Sequence, residues 1–141
     1  MGIYLDTSFL AGLFVEIDAF AARARAFFTE IDDDFIVSDF AAAEFASVIA
    51  RLTRTGRLTA DEAREIFDTF DSWRGRSAEA ENVENIDIQT ASAIVRRLDL
   101  NIRAPDAINL AIARRLSASV ATFDRGMAAN AHALGVGVAS I

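Results

Sequence analysis

The sequence predicts an α/β fold, a three-layer α/β/α sandwich whose doubly wound, mainly parallel sheet has about five strands. Three observations predict it. Short apolar runs rich in β-branched and aromatic residues recur along the chain, each stopped by a polar residue. Stretches with helical spacing separate them. Those stretches are long enough for crossover helices between parallel strands and too long for hairpin turns.

The elements follow in order. Ile3-Tyr4-Leu5 is the first expected strand, ended by Asp6, and helical spacing then runs from Ala19 to Ile31. Phe35-Ile36-Val37 is the second strand. Ser38 stands where an N-cap belongs, so a helix is expected from Asp39 to Thr55, with Phe45, Val48, Ile49 and Leu52 facing the core and Gly56 as its stop. Thr59-Ala60-Asp61-Glu62 combines a cap with first-turn acids and opens a helix to Arg74. A weaker strand is expected at Val83 to Ile86, then a helix from Ile88 to Leu98. Pro105, placed at the first helical position, starts a helix to Leu116. Val120 to Phe123 and Val136-Gly137-Val138 are the last strands, with a short helix after Arg125 between them. With one proline and no linker, repeat or charge block, residues 1–141 are expected to form a single domain.

Composition narrows the chemistry. The 141 residues contain no cysteine and one histidine, His132, which removes disulfides, thiolate zinc sites and cysteine nucleophiles and argues against a Ser-His-Asp triad. All 14 basic residues are arginine, so a P-loop lysine and Schiff-base chemistry are excluded. The chain is 52% hydrophobic without a run long enough to span a bilayer, and its first residues lack the basic and apolar regions of a signal peptide. A soluble, cytoplasmic protein is the expectation. A net charge of −7 disfavours nucleic acid at first sight, but a divalent cation among clustered acids reverses the local sign.

Carboxylates therefore carry the expected chemistry. Asp6 and Asp124 directly follow strands, at the sheet edge where open parallel sheets bind ligands, although each also suits the cap of the helix that follows. Glu44 lies four residues before Val48 and borders the apolar stripe, so it needs a partner: a metal, or an arginine at the core boundary. Asp106 beside Pro105 suits a helix start and its dipole. Local propensity does not explain why all four acids fall at or near one sheet edge. Oxygen ligands converging from several segments are what a hard divalent cation requires.

The blocks YLDTSFL, SDFAAAEFASVIARL, RAPDAINLAIARRL and SVATFDRGMAANAHALGV resemble, in order and spacing, the PIN domain of VapC-type toxin ribonucleases. The resemblance covers essentially the whole chain. It implies an acidic site of Asp6, Glu44, Asp106 and Asp124, with Thr7, Ser8 and Thr122 as supporting hydroxyls. It further implies a magnesium- or manganese-dependent endoribonuclease of a type II toxin-antitoxin pair. The expected partners are an RNA substrate, a cognate antitoxin and a second copy of the chain, with no membrane.

Two other readings compete. A haloacid-dehalogenase-like phosphatase also starts with an aspartate after its first strand, but it wants a second one two positions later, where this chain has Ser8. A noncatalytic module, PIN-like or receiver-like, has to explain why all four acids are present, and the receiver form normally uses a lysine. Arg51, seven residues after Glu44, is a candidate phosphate contact, but arginines near a helix end also favour the dipole and solvent. His132 is expected to be a surface or packing residue.

Overall fold

A computed structural model describes residues 2–141; Met1, the first residue of the expected domain, lies outside them. The chain runs through β1 (Ile3–Leu5), α1 (Thr7–Phe14), α2 (Ala21–Glu30), β2 (Phe35–Ser38), α3 (Asp39–Arg54) and α4 (Ala60–Ser77). It continues through β3 (Ala78–Glu81), α5 (Asn85–Arg96), α6 (Ala104–Arg115), β4 (Ser119–Ala121) and α7 (Arg125–Ala133). The strands form one parallel sheet in the order β3-β2-β1-β4, with Ile3 in register with both Phe35 and Ser119. This is the expected α/β architecture. Crossovers from β1 to β2 to β3 move one way across the sheet and the return to β4 moves the other, so right-handed connections place their helices on opposite faces. Accordingly α1 packs against α2, α3 and α4, whereas α5 packs against α6.

β1 is the centre of the core. Tyr4, Leu5, Phe9, Leu10, Val37, Phe45, Ile49, Leu110, Ile112 and Val120 are fully buried around it. Burying each such side chain contributes about 1.5–3 kcal/mol, so the sheet edge that carries the acids is rigidly based. No helix among the described residues is long and apolar enough to cross a membrane.

Four expectations need correction. Among the described residues the sheet has four strands and not about five, because Val136-Gly137-Val138 makes only an isolated bridge between Val138 and Val120. Val120 alone pairs with it, donating its N–H to Gly137 and accepting from Ala139. The strand expected at Val83 to Ile86 lies at Ala78–Glu81 instead. There α4 runs past Arg74 to Ser77 and enters β3 without a turn, and a reciprocal box between Glu84 and Asp87 starts α5 at Asn85. Thr7–Phe14 is a helix with no counterpart in the sequence reading. Finally, α6 begins at Ala104, so Pro105 is its second residue and not its first.

Asp87 also locks α5 onto α6. Its carboxylate accepts from Arg115 Nε at 2.8 Å and Nη2 at 2.9 Å while only 2% exposed. Burial, the largest single influence, would raise its pKa, but the Arg115 guanidinium and the Glu84 N–H together outweigh it and hold the carboxyl below the ordinary value.

Candidate active site

The strand order reverses between β1 and β4, since the chain leaves β1 toward β2 and returns to β4 on the other side. Crevices at such a switch point bind ligands in open parallel sheets. Asp6 follows β1 there, and Asp124 follows β4 just beyond Thr122 and Phe123.

Asp6 is 5% exposed and caps α1: its Oδ1 accepts from Phe9 N–H at 2.9 Å and from the Ser8 hydroxyl at 2.7 Å. Asp124 caps α7 in the same way, its Oδ1 accepting from Met127 N–H at 3.0 Å. The local explanation of both acids is therefore correct. It is also incomplete, because each cap engages Oδ1 and leaves Oδ2 outside the cap. Ser8 and Thr122 tie the two loops together. Ser8 Oγ accepts from Phe123 N–H at 2.9 Å and lies 3.2 Å from Thr122 Oγ1, which accepts from Asp124 N–H at 3.0 Å.

Glu44, half-buried on α3, has no arginine partner among the described residues. Its Oε1 accepts from the Asn109 amide at 2.7 Å and the Thr7 hydroxyl at 3.1 Å. Asn109 is itself aimed by a buried chain of hydrogen bonds that starts at a helix cap. Ala41 N–H donates to Ser38 Oγ at 3.0 Å, Ser38 lies 2.6 Å from the Tyr4 hydroxyl, and Tyr4 donates to Asn109 Oδ1 at 2.5 Å. Tyr4 has one proton, so Ser38 donates to Tyr4. This fixes which end of the Asn109 amide faces Glu44. Burial pushes the Tyr4 hydroxyl far above its ordinary pKa, so it stays a neutral donor.

Asp106 differs from the other three. It sits in the first turn of α6, half-buried, and among the described residues its carboxylate makes no hydrogen bond and no ion pair. The helix cap there is Arg103, which makes no side-chain cap bond either. The expectation that Asp106 serves the helix start thus reduces to its favourable position near the dipole.

Three of the acids, Asp6, Glu44 and Asp106, feel the charge of a neighbouring acid. Burial, above all, pushes the Asp6 carboxyl up to about 6; bonds from Thr122, Phe9 and Ser8 pull it back, and the charge of Asp124 adds to the rise. Burial likewise raises Glu44, against its bonds from Asn109 and Thr7, with the charge of Asp106 adding to it. Asp106 is raised by burial and then by Asp124, with Arg103 opposing. Among the described residues none of the four acids of the site is in an ion pair. Such a set of hard oxygen donors suits magnesium or manganese better than any softer metal. As the side chains lie, no group of three or more acids, histidines or cysteines among the described residues is already drawn together as a metal-holding set.

A family model, the PIN domain, matches residues 3–133. The chain belongs to the PIN domain family. No curated protein sequence matches this PIN domain. Solved structures similar to it include the Mycobacterium tuberculosis VapC20, described as a sarcin-ricin loop cleaving toxin. The two share 22% identity and a TM-score of 0.74, over 90% of this chain and 93% of that one. FitAcB from Neisseria gonorrhoeae shares 20% identity and a TM-score of 0.70, over 98% and 96%. VapBC2 from Rickettsia felis, bound to a DNA fragment from its promoter, shares 14% identity and a TM-score of 0.64, over 88% of each chain. At these identities the likeness is one of fold.

Arg51 and His132 are both exposed on this PIN domain. Arg51 lies two turns beyond Glu44, about 10 Å along α3. The sequence reading missed Asn109, Tyr4 and Ser38 as positioning residues. One signal was available: Asn109 is a lone amide in the otherwise apolar run Ala107 to Ala113, three residues after Asp106, and a buried polar group there needs partners.

Proposed function

We propose that this PIN domain is a magnesium- or manganese-dependent endoribonuclease, acting in the cytoplasm as a VapC-type toxin under the restraint of a cognate antitoxin. The observation that carries this reading is that strand ends and helices bring Asp6, Glu44, Asp106 and Asp124 to the region of the switch point, where Asp6, Glu44 and Asp106 are raised above their ordinary pKa values and none of the four is in an ion pair among the described residues. Protein charges that are not paired with one another favour a bound cation. The fold likeness to VapC20, a sarcin-ricin loop cleaving toxin by its description, supports RNA as the substrate.

Asp6 and Asp106 would hold the cation, with Asp124 beside them. When bound, the metal supplies a hydroxide at neutral pH and offsets charge on the phosphoryl oxygens. Glu44 orients the attacking water through Oε2, because Thr7 and Asn109 already occupy Oε1. Ser8 and Thr122 keep the β1 and β4 loops at a fixed separation, which holds Asp6 and Asp124 in place.

The antitoxin reading is supported by a groove of about 490 Å³ between α1, α2 and α4. Its floor includes Phe14, Phe28, Ile66 and Trp73, and Glu16, Glu62 and Glu65 rim it. A basic amphipathic segment suits such a groove. The groove begins at the C-terminal end of α1, whose other end, about 12 Å away, carries Asp6 and Thr7. A second copy of the chain is the further partner we expect. Cleavage of RNA by the purified protein with magnesium, and its loss in excess chelator, tests the activity. Binding of RNA without cleavage under any divalent metal would favour a noncatalytic PIN-like module instead.

A further inference from the structure

We propose that the cleft beside Asp124 is a base-stacking subsite that holds one unpaired nucleotide next to the scissile phosphate; this deepens the ribonuclease reading and rests on it. The cleft, about 410 Å³, is lined by Phe20, Arg23, Thr122, Phe123, Asp124 and Arg125. It shares Thr122 and Asp124 with the acidic site, so an occupant of one is adjacent to the other. Its size is at the lower end of the roughly 300–1,000 Å³ of ligand pockets, enough for a nucleotide and not for a duplex.

The aromatic wall is ordered from the core outward. Phe9 is fully buried and stacks on Phe123 at 5.5 Å and 11°, and Phe123 stacks on Phe20 at 4.5 Å and 5°. Gly12 makes room for this stack, since a Cβ there would lie 3.0 Å from the Phe123 ring. Phe123 therefore has a ring on both sides, and Phe20 is the outermost member. Phe20 is 37% exposed. Arg23 does not cover it: its guanidinium carbon is nearly equidistant from the two rings, 5.7 Å from Phe20 and 5.4 Å from Phe123. A group so placed flanks the pair, and Arg23 also donates to the Ile141 carbonyl at 2.7 Å. Arg125, the first residue of α7, is exposed, and among the described residues it makes no ion pair.

An outward aromatic face with an uncommitted guanidinium beside it is how proteins hold unpaired bases: the π-face takes the base and the arginine takes the phosphate. A peptide partner is better served by the separate groove between α1, α2 and α4, which is larger and lies away from Asp124. The occupant we assign to the cleft is RNA.

The test uses unpaired eight-nucleotide oligoribonucleotides. Binding is measured by fluorescence anisotropy in chelator, and cleavage is measured separately with magnesium or manganese. Phe20→Leu keeps apolar volume and loses the π-face; it should weaken binding about ten-fold, and Phe20→Trp should retain it. Arg125→Gln should weaken binding by several-fold and reduce its salt dependence. In the wild-type protein, an abasic residue at one position next to the cut should cost as much as Phe20→Leu, and the two losses should not add. The abasic comparison within the wild-type protein needs no altered protein. Equal binding by Phe20→Leu and wild type, or no position sensitive to base removal, overturns the subsite even if RNA is cleaved. Phe20-dependent binding without cleavage keeps the subsite and sinks the hydrolase reading. If Phe20→Leu leaves RNA unaffected and weakens a co-purified antitoxin, the cleft is a protein seat and the proposal falls.

Discussion

Replacing Asp6 by Asn should stabilise the metal-free protein, because an almost fully buried carboxylate is kept ionised at neutral pH at a cost. Asn retains an oxygen to accept from Phe9 N–H and Ser8, so the α1 cap survives. The cost follows from the carboxyl being pushed up to about 6 from an ordinary 3.8. At about 1.4 kcal/mol per pH unit, that gap corresponds to about 3 kcal/mol at pH 7.5. The sign follows from the same numbers. Below pH 3.8 Asp6 is protonated folded and unfolded, so it costs nothing; the penalty grows as pH rises toward 6 and is complete above it. Glu44 and Asp106 are raised too and act in the same direction. In chelator, wild type should gain about 1.4 kcal/mol from Asp6 alone between pH 7.5 and pH 5, and Asp6→Asn should lack most of that gain. At roughly 3 °C per kcal/mol for a chain of this size, Asp6→Asn should melt up to about 10 °C higher than wild type at pH 7.5. Magnesium or manganese should raise the wild-type Tm and leave that of Asp6→Asn nearly unmoved. Thermal unfolding followed by circular dichroism reads all of this. An Asp6→Asn protein that melts lower than wild type in chelator at pH 7.5, or that responds equally to metal, would refute the reasoning.

Asn109→Leu should cut cleavage about 10- to 100-fold with little change in RNA affinity, because Glu44 loses its aim; it should also destabilise by about 1–3 kcal/mol, because the buried Tyr4 O–H, still accepting from Ser38, loses the acceptor for its proton. Steady-state kinetics beside melting separates the two effects. Glu44→Gln should remove nearly all activity, whereas Asp124→Asn should be milder, since the other three acids remain to hold one cation. Cleavage rates on one RNA under saturating magnesium rank them. Arg115→Ala should cost about 3–5 kcal/mol by stranding the buried Asp87, which a urea midpoint would show, and it should leave the metal response intact.

The parts of this structure that burial dictates were readable in the residues. Ile3-Tyr4-Leu5 and Phe35-Ile36-Val37 are apolar runs because β1 and β2 are covered on both faces, and the caps at Ser38 and Thr59 announce α3 and α4. α1 was not readable, since Phe9 to Gly12 are all buried and the segment shows no polar face to reveal a helical period. β3 was misplaced because an edge strand with the sequence Ala-Glu-Ala-Glu is only partly buried, and nearby Val83 and Ile86 look more strand-like. Placement of the four acids near one sheet edge followed from strand ends and helix starts. What holds them did not: the bond from Asn109 to Glu44 joins residues 65 apart, and no local pattern encodes it.

The central claim, that these acids form one catalytic site, is tested most directly by Asp106→Asn. Asp106 makes no side-chain hydrogen bond or ion pair among the described residues, so removing its charge should leave the fold as it is. Its measured quantity is the rate of RNA cleavage in magnesium, with circular dichroism confirming a native melt. The account predicts that cleavage falls nearly to background while the Tm in chelator is unchanged or higher. Wild-type cleavage by a folded Asp106→Asn protein would contradict it, and Asp106 would then be only an acid that suits the start of a helix.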